Sequence, residues 1–290
     1  MACGILCSTM KISPRYGTEP LIRLGGQPAG VGVPLTRQRR RFAKALSALT
    51  PAQWAAPSRC EGWRVQDVVA HLTGTDQFWN LSITSGLAGA PTRFLDGFDP
   101  KATPAVMVDA VREVSAADTL ASYLDASETL CATVESLDDQ GWRAIAETPV
   151  GHISISATAH HALWDSWVHE RDVLTPLGLT QDEEADEIVA SLCYAAAIGP
   201  AFALLSATSR VGALVVDVAR PDARIVVLVD KEVHAAQGGE APDDALVLTG
   251  DAVDVLEAVS VRASWQQQIP DDQAWLVAGL ADVFESTPPN

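Results

Sequence analysis

The sequence predicts an α+β protein: an antiparallel four-helix bundle followed by a small α+β domain. Apolar residues recur at helical spacing in four runs between about 35 and 178. From about 205 onward, β-branched runs and turn residues alternate with a short helical pattern. The chain has 290 residues, more than the ~100–200 typical of one domain, and either half is long enough to bury a core.

Residues 1–34 hold a short apolar patch, Gly4-Ile5-Leu6, followed by Pro and Gly breakers. They lack the longer hydrophobic centre of a signal peptide and read as a disordered extension, in which Met10 offers an alternative start. The bundle is expected over 35–180. Leu35, Phe42, Leu46 and Leu49 mark its first helix, which Thr50-Pro51 ends. Arg37, Arg39, Arg40 and Arg41 read as that helix's solvated face. Val65, Val68, Val69, Leu72, Phe78 and Trp79 mark the second, entered through the loop Pro57 to Trp63. A long connection with Gly and Pro, roughly 86–104, implies a crossover or a loop lying over one end of the bundle. The third helix carries Leu120, Tyr123, Leu124, Leu130, Val134 and Leu137 and stops at Gly141. A fourth ends near Leu177-Gly178, where glycine suits a left-handed cap. Four amphipathic helices bury their stripes most simply against one another.

A connecting helix is expected over 181–204, opened by the acidic stretch Asp182 to Glu187, whose charge complements the positive end of the macrodipole as a solvated helix start. The α+β domain then fills 205–290. Val211 to Val218 and Ile225 to Val229 read as strands joined through Pro221-Asp222. Ala245 to Leu248 is a further strand, and Thr249-Gly250-Asp251 offers an N-cap to a helix bearing Val253, Leu256 and Val259.

A formal net charge of −17 argues against a nucleic-acid surface, which needs clustered Lys and Arg. Five cysteines, widely spaced and without a CxxC pair, suggest neither a disulfide framework nor a thiolate zinc site, so a reduced, cytoplasmic protein fits. No run approaches the ~18 consecutive apolar residues of a membrane span, and no membrane partner is expected.

The stretch HHALWDSWVHERDVL, residues 160–174, sets His161, Asp165 and His169 four residues apart. Four residues advance a helix by about 400°, so neighbours in this series stack with an offset of roughly 40°. Asp165 and His169 can point at one ion, and so can His161 and Asp165, but all three spread over about 80°, wide for one coordination sphere. His71, beside the buried stripe of the second helix, supplies a third ligand from a facing helix. The plain alternative is a set of hydrogen-bonded boundary residues, since an Asp-x-x-x-His pair arises easily by chance. Mixed His and carboxylate ligands suit zinc, and also nickel, iron or manganese.

PSRCEGWRVQDVVAHL, residues 57–72, followed by WDSWVHERDVL, is similar to the N-terminal domain of the mycothiol-dependent maleylpyruvate isomerase family, a branch of the DinB-like metal-binding four-helix bundles. LVLTGDAVDVLEAVSVRA, residues 246–263, resembles a segment of that family's C-terminal domain. The resemblance covers about residues 36–285. It implies metal ligation by His71 and His169, with Asp165 where the family usually has a glutamate. The shorter aspartate brings an ion nearer the helix backbone or reaches it through water, which raises His161 as a substitute or a supporting partner. Arg262 matches an arginine implicated in catalysis, where it would hold a substrate carboxylate; its alternative is a helix-end surface arginine. Asp172 either orients a ligand or caps the helix, and Cys60 is loop filler or a reactive thiol.

Three protein ligands leave one coordination position open, as in catalytic zinc sites. The resemblance implies mycothiol as a thiol cosubstrate in that position, attacking a small-molecule electrophile. Release of the thiol after rotation gives an isomerase, and retention of the carbon–sulfur bond gives an S-transferase. A metal-dependent hydrolase or lyase using bound water, and a non-catalytic ligand-binding bundle, are the alternatives. The substrate is expected between the bundle and the C-terminal domain.

Overall fold

The computed structural model describes residues 13–100, 102–206 and 210–284. For residues 13–34 they correct the expectation of a disordered extension over 1–34. Ile22–Leu24 form strand β1, which pairs in parallel with residues Val233 to Ala235 at the other end of the chain. Leu21 and Ile22 are fully buried, and burying two such side chains is worth about 1.5–3 kcal/mol each. A three-residue strand beside Gly25-Gly26 is too short to show a period, so only its distant partner reveals it. The Gly4-Ile5-Leu6 patch, Met10, Cys3 and Cys7 lie outside the described residues.

The bundle is built from α1 (Gly32–Ser47), α3 (Val65–Leu87), α5 (Ala116–Glu135) and α6 (Ile155–Leu174), with the single turn α2 (Pro51–Trp54) and the short α4 (Ala102–Ala110) in its connections. α1 and α3 each pack against both α5 and α6, so α1 faces α3 across the bundle axis. Direction follows from side-chain pairs. Gln66 at the start of α3 reaches Thr119 near the start of α5 at 3.3 Å, and Asn80 meets Thr133 further along both at 2.6 Å. α3 and α5 therefore run the same way. His71 beside His169 and Trp79 beside His161 show α3 and α6 running oppositely. Of the two options for the long connection, the crossover is adopted: residues 88–115, with α4, return the chain to the end where α3 began. Between α5 and α6 lies an antiparallel hairpin, β2 (Ile145–Thr148) and β3 (Gly151–Ser154). Gly86 lets α3 approach it, since a Cβ there would lie 2.1 Å from the Ile145 carbonyl oxygen.

The arginine run of α1 is not a solvated face. Arg39 is fully buried and binds Asp76 of α3, which is also fully buried, at 2.7 Å, and it donates to the Ala162 carbonyl of α6 at 3.0 Å. Arg37 and Arg41 reach Glu187, and Arg41 also reaches Glu170 at 2.8 Å. Arg40 alone of the four keeps to surface pairs, with Glu128 and Glu135.

α7 (Ala185–Ser206) begins within the acidic stretch, but Glu187 is buried under Arg37 and Arg41 instead of solvated. This helix joins the halves of the molecule, packing on α1 and α6 on one side and on the sheet and C-terminal helices on the other. Its 18-residue window of mean hydropathy 2.0 is long and apolar enough to cross a membrane, contrary to the expectation from the sequence, and 78% of that window is buried inside the fold. A helix apolar on all sides is what a position between two cores requires.

The sheet runs β1-β6-β5-β4-β7, from β4 (Gly212–Ala219), β5 (Ala223–Val229), β6 (Val233–Gln237) and β7 (Leu246–Asp251). β4 and β5 form the expected hairpin through Pro221, while β7 lies parallel to β4. Asp251 caps α8 (Ala252–Val259) through the Val253 amide at 3.0 Å. α9 (Trp275–Phe284) lies on α7, where Gly279 meets Gly199 so closely that a Cβ would sit 2.0 Å from its carbonyl oxygen.

Candidate metal centre

Two helices and one loop converge on a point in the N-terminal third of α3 and the C-terminal half of α6. His71 of α3 and Asp165 and His169 of α6 each offer a ligand atom within 4.8 Å of the others. The imidazoles of His71 and His169 stand edge to face, 5.0 Å between centroids, and His169 Nε2 lies 3.6 Å from Asp165 Oδ1. Trp63 packs beside His71 at 5.5 Å. Asp165 Oδ2 is buried without a hydrogen-bond partner. A buried carboxylate oxygen left unpaired carries a desolvation cost, which a cation would offset. This unpaired oxygen, with two imidazole nitrogens near it, fits a divalent metal by the chemistry of the donor set.

The shorter aspartate is thus directed to the same point as both histidines. His161 is placed differently. Its Nδ1 shares a hydrogen bond of 2.7 Å with the Tyr194 hydroxyl of α7, and its ring is enclosed by Trp79, Trp164 and Tyr194. Tyr194 had no periodic or motif signal, because its role depends on α7 crossing α6.

A second ring of groups surrounds His169. Its Nδ1 lies 3.0 Å from Asp172 Oδ2, leaving Nε2 toward Asp165. Asp172, fully buried, also receives Arg262 Nε at 3.0 and 3.1 Å to its two oxygens, and lies 3.4 Å from Arg59 Nε. Cys60 Sγ donates to Asp172 Oδ2 at 3.3 Å and lies 3.7 Å from His169 Nδ1. Arg262 therefore comes to the centre through Asp172, with its guanidinium already occupied by a carboxylate of this chain. Glu257 of α8 binds Arg59 at 2.8 Å and Arg171 at 2.9 Å, tying the C-terminal domain to the loop and to α6.

The charges shift accordingly. Burial, aided by the charges of His169 and Arg262, pushes His71 down to about 4. Burial opposes a charged His169 as well, but the hydrogen bonds to Asp172 and Cys60 and the nearby Asp165 outweigh it and raise it to about 10. Burial would raise Asp172, yet His169 and Arg262 hold it well below the usual carboxylate range. For Asp165, burial is likewise outweighed by the surrounding histidines and Arg39, and its pKa falls. Burial alone takes His161 down to about 4.

Two cavities flank the centre. One of about 590 Å³ lies between α3 and the crossover and touches His71, Asp165 and His161. The other, about 80 Å³, lies between α6 and the C-terminal domain and touches Asp165, His169 and Arg262. The roomy cavity is thus on the crossover side, and not between the bundle and the C-terminal domain.

Fold and side-chain arrangement together define a four-helix bundle carrying an α+β domain, with two histidines and an aspartate gathered between facing helices. Residues 35–174 match the mycothiol maleylpyruvate isomerase N-terminal domain. A crystal structure of the mycothiol-dependent maleylpyruvate isomerase superposes with a TM-score of 0.59 at 13% identity, covering 84% of this chain and 95% of that one. A point mutant of that isomerase gives 0.58 at 15% identity over the same shares. No curated protein matches the chain by sequence.

Proposed function

We propose that this protein is a metal-dependent enzyme that uses mycothiol as a thiol cosubstrate on an electrophilic double bond, acting as an isomerase or an S-transferase in the cytoplasm. The observation that carries the reading is the convergence of His71, Asp165 and His169 within 4.8 Å around an unpaired buried carboxylate oxygen. The match of residues 35–174 to that isomerase's N-terminal domain supports the choice of thiol. A divalent cation, zinc first among the candidates, would supply Lewis acidity that favours thiolate over thiol near neutral pH.

The chain's own groups have separable tasks. Asp172 fixes the ring of His169 through Nδ1 and so directs Nε2 to the ligand point, the usual carboxylate–histidine arrangement around metals. Arg262 and Arg59 hold Asp172 in place, which makes Arg262 a positioning residue. His161, anchored by Tyr194, borders the large cavity beside Asp165 and supports the centre without ligating it. In isomerisation, sulfur bonds to one alkene carbon, the resulting single bond rotates, and the same carbon–sulfur bond then breaks to regenerate the thiol. In transfer, that bond is kept and the adjacent carbon takes a proton.

Metal content of the purified protein and of His71→Ala and His169→Ala tests the ligands: stoichiometric metal is expected in the wild type and its loss in both variants. Incubation with mycothiol and a conjugated electrophile should give isomerised product or a thiol adduct by mass. Turnover without any thiol would overturn the thiol reading, and wild-type protein that takes up no metal would overturn the centre.

A further inference from the structure

The large cavity has a chemical character that the metal centre does not dictate. Its walls carry Phe78, Phe94, Phe98, Met107, Val108 and Val111, with hydroxyl and amide groups from Thr73, Gln77, Thr119 and Ser122. Among the described residues lining it there is no Lys or Arg, and its titratable groups are His71, His161 and Asp165. Arg262 lines the small cavity on the opposite side and is bound to Asp172.

Several of these side chains form an apolar rim open to water: Phe94 is 66% exposed, Met107 56%, Val111 40% and Val114 40%. Contiguous exposed apolar surface leading into a cavity is characteristic of ligand sites. The wall is also built firmly. Glu147, fully buried, accepts hydrogen bonds from the amides of Phe94 and Leu95 at 2.9 and 2.8 Å and from Thr92 Oγ1 at 2.6 Å. It thereby fixes the start of the crossover against the bundle, so the cavity is preformed.

A dicarboxylate entering here could give one carboxylate to a cation held at the His71 and Asp165 edge, but the other would leave water with no Lys or Arg among the described lining residues, in a chain of net charge −17. Desolvating an unpaired carboxylate costs several kcal/mol. An uncharged apolar molecule meets no such cost and covers the rim. We propose that the crossover cavity is the electrophile site and that its occupant is a neutral, largely apolar molecule, its reactive end at the His71 and Asp165 edge, and not a small dicarboxylate. The assignment of the occupant as an electrophile rests on the function proposed above.

The test is a fluorescence titration of the full chain with N-phenyl-1-naphthylamine, a neutral apolar probe, in both metal-free and metal-loaded protein without thiol. One probe per chain is expected in both states. trans-Chalcone, a neutral enone, should displace it and fumarate should not. Gly74→Phe projects a ring into the cavity, where a Cβ meets only Met107 Cε at 3.7 Å, and should weaken binding by about tenfold or more through lost apolar burial. Met107→Glu, at a half-exposed position, should weaken it comparably and decides the matter if Gly74→Phe fails to fold. Unchanged affinity in Met107→Glu, or displacement by fumarate and not by chalcone, would overturn the proposal. Because the readout needs neither metal nor thiol, its failure is distinguishable from failure of the metal and thiol assignments.

Discussion

Asp172 and His169, three residues apart on α6, form a buried hydrogen-bonded pair in which Asp172 Oδ2 lies 3.0 Å from His169 Nδ1. The contact fixes which imidazole nitrogen remains for a ligand, and Arg262 clasps the same carboxylate from the C-terminal domain. The C-terminal domain thus bears on the histidine of α6 through this aspartate.

Asp172→Asn should lower divalent-metal affinity by roughly 10–100-fold, the usual effect of removing a carboxylate behind a ligating histidine. Chelator competition measures it. Affinity equal to wild type would show that the aspartate serves packing alone.

Arg39 and Asp76 form an ion pair inside the bundle, both side chains fully buried. Burial pushes the Asp76 pKa up against the opposing Arg39 charge. Arg39→Met leaves the carboxylate uncompensated and should cost about 3–5 kcal/mol in chemical denaturation, whereas Arg39→Met with Asp76→Leu should recover most of that loss. A double variant no more stable than the single one would assign the cost to packing.

Asp67 sits three residues into α3, where its carboxylate accepts the Arg64 amide at 2.9 Å and the Arg64 guanidinium at 3.0 and 3.1 Å. Burial works to raise its pKa, but the Arg64 hydrogen bonds and charge outweigh it, so the folded value is depressed. A depressed carboxylate stabilises the fold above its unfolded pKa of about 3.9, and the contribution fades as pH falls through the folded value. Asp67→Asn should therefore be about 1 kcal/mol less stable at pH 7, with the gap closing in acid below about pH 4. Urea midpoints at several pH values check this; a gap that does not vary with pH contradicts it.

Glu147→Gln keeps the shape of the side chain but removes the charge that gathers Thr92, Phe94, Leu95 and the Tyr16 hydroxyl. Hydrogen bonds to a charged group are worth about 1.5–3 kcal/mol. Faster amide exchange is expected at Phe94 and Leu95 while that of α6 is unchanged. Equal acceleration throughout would indicate global destabilisation instead of release of the cavity wall.

The helices of the bundle were legible because each carries its own apolar period: Val65, Val68, Val69 and Leu72 are all fully buried, as their spacing requires. His71, Asp165 and His169 could be nominated because helical spacing and a facing helix restrict where ligands can meet. β1 was not legible, since its three residues acquire meaning only beside β6. The α1 arginines misled for a related reason: their spacing looks solvated, and only the approach of Asp76, Glu170 and Glu187 from three other helices buries their charge.

By itself the sequence determined the periodic elements, the turns between them and the short list of side chains able to bind a cation, because these depend on neighbours a few residues away. Tertiary structure alone decided that the crossover makes α3 and α5 run the same way, that His161 turns to Tyr194, and that Arg262 grips Asp172. It also decided that the spacious cavity opens beneath α4. These depend on contacts between segments 30 to 90 residues or more apart, whose geometry no local period encodes.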